Sequence, residues 1–457
     1  GILVRQGGGA CGRGVYKRSF PARSRVEEWW MNLFIDASKY VLTLLMAGYT
    51  YLNFRYFGVK EEKREALCRR QAWLFYLLHG TAYAVLYLQT GQTRTAVLYV
   101  AQVLFFVLYR FFSRVLYPKA SRILINNMCM LLAIGFFMLT RLNFDRAVRQ
   151  FGIAALSAAV CWAVPWLLDR MWQLSRIPWL YGLLGLALLA VVWAAGSTSY
   201  GAQLSLDLGP VSVQPSEFVK ISFVCFTAAM FYRSVSFRQT AVTTVMAALH
   251  VLVLVLSRDL GSALLFFTVY LCMLFAATSS WLYLGAGILS GSGAAVLAYR
   301  LFSHVRVRVS AWQNPWADID NTGYQIAQSL FAIGTGGWFG MGLGQGMPQR
   351  IPVVEKDFIF SAISEELGAV FALCLVLICL GCFLQFVMIA CRMQASFYKL
   401  TAFGLGAMYI FQVFLSVGGA VKFIPSTGVT LPFVSYGGSS MLATCILFAV
   451  MQGMYIL

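Results

Sequence analysis

"ELGAVFALCLVLICLGCFLQFVMIAC", residues 366–391, has Glu366 as its single charged residue. A helix at a water-exposed surface needs a polar stripe along one face, and this stretch has none. At about 1.5 Å of rise per residue it is long enough for the roughly 30 Å hydrocarbon core of a bilayer. In lipid the backbone N–H and C=O groups must pair within the segment, so the stretch is a transmembrane helix.

The same pattern recurs along the chain. Ten such spans begin near Ile123, at about 124–141, 150–169, 177–196, 215–233, 240–256, 259–278, 283–301, 366–391, 400–420 and 439–457. Three more precede them, at about 38–57, 71–89 and 95–113. Composition agrees: 60% of the 457 residues are hydrophobic and 11% charged, a balance that a soluble domain could not cover with polar surface. The expected fold is therefore all-α, a polytopic helical membrane protein. A ten-helix core over 124–457 follows an N-terminal three-helix membrane extension over 37–123. Residues 1–36 open without Met and lack a signal-peptide apolar core, and are expected to be a disordered or non-native leader.

The net charge of +18 does not point to nucleic acid, because Lys and Arg sit in short tracts between apolar segments, where they orient helices. The basic loops 55–70, 110–122, 233–238 and 392–399 alternate correctly if they are cytoplasmic. Loops 197–214, near 258, 302–357 and near 422 then face outside. Arg141, Arg146 and Arg149 fall on that outer side as exceptions. Cysteines such as Cys225, Cys272 and Cys374 lie inside spans without metal-ligand spacing and read as small apolar core residues. His79, His250 and His304 are isolated, so no metal-ligand set is assigned. Loop 302–357 is rich in Trp, Gly and aliphatic residues. It is expected to pack back as a partly re-entrant lid that shelters Trp312, Trp316, Tyr324, Phe331 and Trp338.

Several motifs then occur in one order: "LNFDRAVRQF" at 142–151, "QPSEFVK" at 214–220, "RDLGSALL" at 258–265, "NPWADIDNTGYQIAQSLFAIGTGGWFGMGLGQG" from 314, "DFIFSAISEELG" from 357 and "PSTGVTLPFVSYGGSSM" from 425. Over residues 124–457 the chain resembles the SEDS family, which includes FtsW-, RodA- and SpoVE-type proteins. The resemblance implies an integral-membrane peptidoglycan glycosyltransferase of the bacterial cytoplasmic membrane. Such an enzyme polymerises lipid II during division or elongation, with a class B penicillin-binding protein as partner. Departures exist: Glu355 and Lys356 stand where many relatives have His-Thr, loop 197–214 lacks a Trp often found there, and Arg258 replaces a usual Pro.

That chemistry needs a base for the attacking hydroxyl, cationic help for the departing diphosphate and a groove for a long lipid. Asp357, at the mouth of a span, matches the family's catalytic aspartate; the alternative is a helix cap. Lys356 beside it is expected to favour its ionised form. Arg306 and Arg308, with Lys356 and Arg350, are candidates for holding the diphosphate, or else form an interfacial anchor pair. Gln345 and Lys220 complete the candidate substrate-binding set. Glu217, Glu365, Glu366 and Ser439 are supporting candidates, the two deep glutamates having Lys220 and Arg258 as expected partners by depth. Ser216, after Pro215, is expected to cap a helix. The glycine run at 334–346 and "SYGGSS" at 435–440 allow backbone to approach a headgroup or pack helices closely. A divalent cation, Mg2+ or Mn2+, is a candidate cofactor. A lipid II transporter and a non-catalytic scaffold are the competing functions.

Overall fold

A computed structural model describes residues 25–199, 202–208 and 211–457. Three helices come first, α1 (Arg25–Gly58), α2 (Glu61–Thr90) and α3 (Thr93–Leu116). The core then runs α4 (Arg122–Leu142), α5 (Phe144–Cys161), α6 (Ala163–Met171), α7 (Pro178–Ala195), α8 (Pro215–Arg233), α9 (Phe237–Leu256), α10 (Leu260–Thr278) and α11 (Trp281–Leu301). After it come α12 (Ser303–Gln313), α13 (Tyr324–Gly336), α14 (Ile359–Arg392), α15 (Ser396–Ala420) and α16 (Gly438–Ile456).

Helix stands at every position where a span was expected, yet among the described residues only ten helices are long and apolar enough to cross a membrane. These are α3, α4, α5 continuing to Leu168, α7, α9, α10, α11, α14, α15 and α16. Of the thirteen expected spans, α1, α2 and α8 are long enough but carry more polar residues and fall outside this measure. Of the expected leader, residues 25–36 are helical in α1, and residues 1–24 lie outside the described residues. One element was not foreseen. β1 (Ser197–Ser199), β2 (Ala202–Leu208) and β3 (Val211–Val213) form a small antiparallel sheet in the order β1-β2-β3 between α7 and α8.

The hydrophobic core gathers around α4 and α14. α4 is buried along almost its whole length, whereas α11 has no buried residue and touches the bundle chiefly through α10 and α12. Helices α1 and α2 pack on α4 and α14 through buried amides. Asn127 donates to Asn53 Oδ1 at 2.8 Å and accepts from Tyr49 at 3.0 Å, while Asn126 donates to the Cys68 carbonyl at 2.9 Å and to Gln71 at 3.0 Å. In a bilayer such polar contacts fix helix register where apolar packing alone cannot.

The 302–357 insertion is structured, since α12 and α13 lie within it. Ser329 of α13 bonds Ser361 Oγ at 2.6 Å and donates to the Ala420 carbonyl at 2.7 Å, and Trp312 donates to the Lys422 carbonyl at 3.1 Å. The lid is only partial. Trp316, Phe331 and Trp338 are exposed, against expectation; α13 buries its Ile326, Ala327 and Ala332 side and turns Phe331 outward, where its ring lies 5.5 Å from that of Trp316.

Candidate active site

α14 is broken near its start. Gly368 sits at φ 86° and ψ 169°, outside helical geometry, so the backbone groups on either side lose their helical partners. The glycine-rich segment supplies them. Met341 and Gly342 N–H donate to the Glu365 and Glu366 carbonyls at 3.0 and 2.9 Å, while Ala369 and Val370 N–H donate to the Gly337 and Trp338 carbonyls at 2.9 and 3.1 Å. This approach leaves no room for a side chain: a Cβ on Gly340, at φ 79°, would lie 2.3 Å from the Glu366 carbonyl oxygen. The close backbone contact read from the glycines is therefore made with α14.

The two deep glutamates hold the same clamp. Glu366, fully buried, accepts from Arg141 Nε at 3.1 Å and from Gly344 N–H at 2.9 Å; Arg141 Nη2 also reaches the Gly344 and Gly346 carbonyls at 3.4 and 3.2 Å. Glu365 accepts from Met347 N–H at 2.8 Å. Neither expected partner is used. Lys220 is buried and spends its ammonium on Glu217 at 2.7 Å and Gln412 at 3.2 Å, inside the α8–α15 contact, which removes it from the candidate substrate contacts. Arg258 lies exposed at the start of α10, in the left-handed region at φ 64°. Gln345 is exposed on the 342–346 turn, and Ser439 accepts from Gln214 N–H at 2.9 Å, tying α16 to the start of α8. Ser216 is not a cap; its hydroxyl accepts from the Gln214 side chain at 3.2 Å.

Asp357 lies two residues before α14, at the end of a tight turn. Val353, a β-branched residue at φ 58°, holds that turn, its carbonyl accepting from Lys356 N–H at 3.0 Å and Asp357 N–H at 3.3 Å. The segment is laced to the 426–436 loop. Tyr436 N–H donates to the Glu355 carbonyl at 2.7 Å and Ser435 Oγ to the Lys356 carbonyl at 2.5 Å. Glu355 is ion-paired with Arg146, whose guanidinium sits 5.7 Å from the centre of the Tyr436 ring. Across the mouth, Arg308 Nη1 donates to the Ser426 and Thr427 carbonyls at 3.4 Å each, and Gly428 comes close enough that its Cβ would be 3.7 Å from Asp357 Oδ2.

Three readings resolve here. The residue that caps α14 is Phe358, without a side-chain bond, and among the described residues the Asp357 carboxylate accepts no hydrogen bond, so it is not a helix cap. Arg306 does not join Arg308: two residues apart on a helix point to nearly opposite sides, and Arg306 is exposed with Nη1 on the Arg300 carbonyl at 2.9 Å. Burial pushes the Asp357 carboxyl above the ordinary aspartate range, and the Lys356 and Arg308 charges pull it back only in part. Lys356 acts in the expected direction but is outweighed.

Among the described residues no three His, Cys, Asp or Glu side chains cluster as metal ligands. Glu355 is taken by Arg146, which leaves Asp357 as a single free carboxylate at the mouth. The steps below are therefore derived from this chain's own side chains. Two residues had not been assigned to the site, Arg141 and Arg146. Their signal was present: both were basic exceptions on the outer side, and both turn out to be partners of carboxylates.

Residues 115–455 match the family model for FtsW, RodA and SpoVE, described as a cell cycle protein. The chain is 34% identical over 364 residues to the peptidoglycan glycosyltransferase RodA of Mycobacterium bovis, covering 73% of this chain and 77% of that protein. It is 35% identical over 315 residues to the probable peptidoglycan glycosyltransferase FtsW of Geobacter metallireducens, covering 66% and 82%. Among solved structures it is similar to a chain of a peptidoglycan synthase complex, with a TM-score of 0.64 and 24% identity, covering 74% of this chain and 97% of that one. The rod shape determining protein RodA of Thermus thermophilus gives a TM-score of 0.57 with the same identity and coverage.

Proposed function

Because this chain belongs to the SEDS family of peptidoglycan glycosyltransferases, the FtsW/RodA/SpoVE group, we propose that Asp357 is the general base with which it polymerises lipid II. The protein is a multi-pass membrane peptidoglycan glycosyltransferase that acts in elongation or division. The open question is which side chains carry the transfer.

The observation that supports Asp357 is its lack of commitment. Glu355 is paired with Arg146, Glu366 with Arg141 and Glu217 with Lys220, and Glu365 holds the Met347 amide. Asp357 alone of these carboxylates takes no hydrogen bond or ion pair from a described residue, at the entrance of α14 beside Lys356 and Arg308. Its raised basicity suits the task, because a base works best when its pKa lies closer to the operating pH. In the proposed step the carboxylate takes the proton of the attacking sugar hydroxyl as that oxygen bonds the anomeric carbon. The bond from that carbon to the lipid diphosphate breaks, and Arg308 and Lys356 bear the charge that develops on the leaving oxygens. Arg308 supplies a planar fork suited to phosphate oxygens. Glu365 and Glu366 support the site by holding the break in α14.

Two further readings belong with this proposal. α1–α3 form a membrane extension ahead of the ten-helix core, supported by their length and by their packing on α4 and α14. A class B penicillin-binding protein is the partner, supported by the likeness to a chain from a peptidoglycan synthase complex. The test is a gel assay of glycan chains made from fluorescent lipid II by the purified protein with that partner. The wild type is expected to give polymer and Asp357→Asn none; polymer from the Asn variant at a near-normal rate overturns the assignment.

A further inference from the structure

α1, α2 and nearly all of α3 precede residue 115, where the family match begins, and no role follows for them from that match. They are nonetheless built into the molecule. Besides the amide network on α4, Asn53 of α1 meets α14 so closely that a Cβ on Gly381 would lie 2.0 Å from its side-chain nitrogen. The other end of the extension reaches the site. Tyr83 of α2 bonds Thr140 at 2.9 Å, one residue before Arg141, and the Arg94 guanidinium lies 4.5 Å from the centre of the Phe144 ring.

The decisive contact is made by Gln89, in the last turn of α2. Its side-chain N–H donates to the Leu343 carbonyl at 2.5 Å, and its amide fills the space against Gly344, where a Cβ would lie 2.0 Å from Gln89 Oε1. The same peptide group carries the Gly344 N–H, which donates to Glu366 Oε2 at 2.9 Å, and the carbonyl of the following peptide, Gly344 C=O, accepts from Arg141 Nη2 at 3.4 Å. Gln89 therefore grips the 342–346 turn from one side while the Arg141–Glu366 pair grips it from the other. The remaining polar holds come from the same α14–Arg141 side, with Gly342 N–H on the Glu366 carbonyl at 2.9 Å, the Gly346 carbonyl on Arg141 at 3.2 Å and Met347 N–H on Glu365 at 2.8 Å, so the Gln89 bond is the contact that α2 adds.

We infer that the N-terminal extension is an intrinsic positioning element for the glycosyltransferase site, and that Gln89 is its positioning residue, acting through the 342–346 turn on the Arg141–Glu366 pair. The inference rests on the family activity and on the supporting role given to Glu366, and does not depend on Asp357 being the base. α2 places a helix end behind a turn whose other anchors all come from α14 and Arg141, and so adds the one hold from outside that set, which lowers the freedom of the backbone leading from Gly346 toward Asp357. Rigid support of this kind acts on the reacting geometry more than on substrate capture.

The test uses the full-length protein with its penicillin-binding partner and lipid II. Gln89→Met keeps the side chain's length and removes the donor; Gln89→Asn keeps the amide on a shorter arm. The expected result for Gln89→Met is a kcat lower by about three- to tenfold, the loss of one net hydrogen bond, with KM and the thermal unfolding midpoint little changed. Amide hydrogen exchange should rise in 340–347 and stay unchanged in the rest of α14. Gln89→Asn should recover part of the rate. In a double-mutant cycle the losses of Gln89→Met and Glu366→Gln should be less than additive, since both act on one turn. Full kcat for Gln89→Met, or a rate loss explained by a smaller folded fraction with unchanged exchange in 340–347, overturns the inference. An active Asp357→Asn protein overturns the base assignment and leaves the Gln89 result standing or falling by its own readouts, so the two readings fail separately.

Discussion

Replacing Asp357 by Asn isolates charge and basicity from shape. The carboxylate accepts no hydrogen bond from a described residue and α14 is not capped by it, so the amide breaks no native contact. Its burial raises the carboxyl above the ordinary aspartate range, which means that ionisation opposes folding. The contribution of Asp357 to stability is then fully present below that ordinary range and is lost as pH rises through the raised value. Asn never ionises; its stability should match the wild type in acid and exceed it at neutral pH, as read from thermal unfolding at the two pH values. Activity should move the other way. A positioned general base contributes about 10²–10⁴ in rate, so glycan synthesis should fall by at least about 100-fold, near 2.7 kcal/mol of transition-state stabilisation. The wild-type pH–rate profile should have its acid limb above the usual aspartate range. A folded Asn variant that polymerises lipid II at a near-normal rate would refute the reasoning, and so would an acid limb at or below that range.

Arg308→Ala should lower turnover by the equivalent of about 1.5–3 kcal/mol, as for a charge-assisted contact, whereas Arg306→Ala should stay within about twofold because Arg306 points away; equal effects in the lipid II assay would contradict the two-sided reading of α12. Arg141→Met leaves Glu366 buried without its cation and should cost about 3 kcal/mol of stability, seen as a lower unfolding midpoint in detergent. Gly340→Ala combines a left-handed backbone with a contact against the Glu366 carbonyl, and should cost at least about 2 kcal/mol by the same measurement.

Residues 366–391 announce a membrane helix by themselves, because hydropathy and segment length are local properties that lipid converts directly into structure. The motifs of 314–346, 357–368 and 425–441 likewise placed the family and Asp357 without any coordinates. What they could not carry was who meets whom. Glu366 finds Arg141 across 225 positions of chain, and Lys220, similar in depth, pairs instead with Glu217 one turn away. Depth in a membrane is a single coordinate; an ion pair needs all three. The alternation of Arg306 and Arg308 gave them one role until α12 turned them to opposite sides. The glycines of 336–346 announced a close approach without saying to what, and only the break at Gly368 supplied the surface they approach. Hydropathy and the order of the motifs were enough to make the chain a helical membrane protein of this family. The tertiary structure decided which carboxylate stays uncommitted, because charges are satisfied by neighbours in space, and sequence spacing does not encode those neighbours.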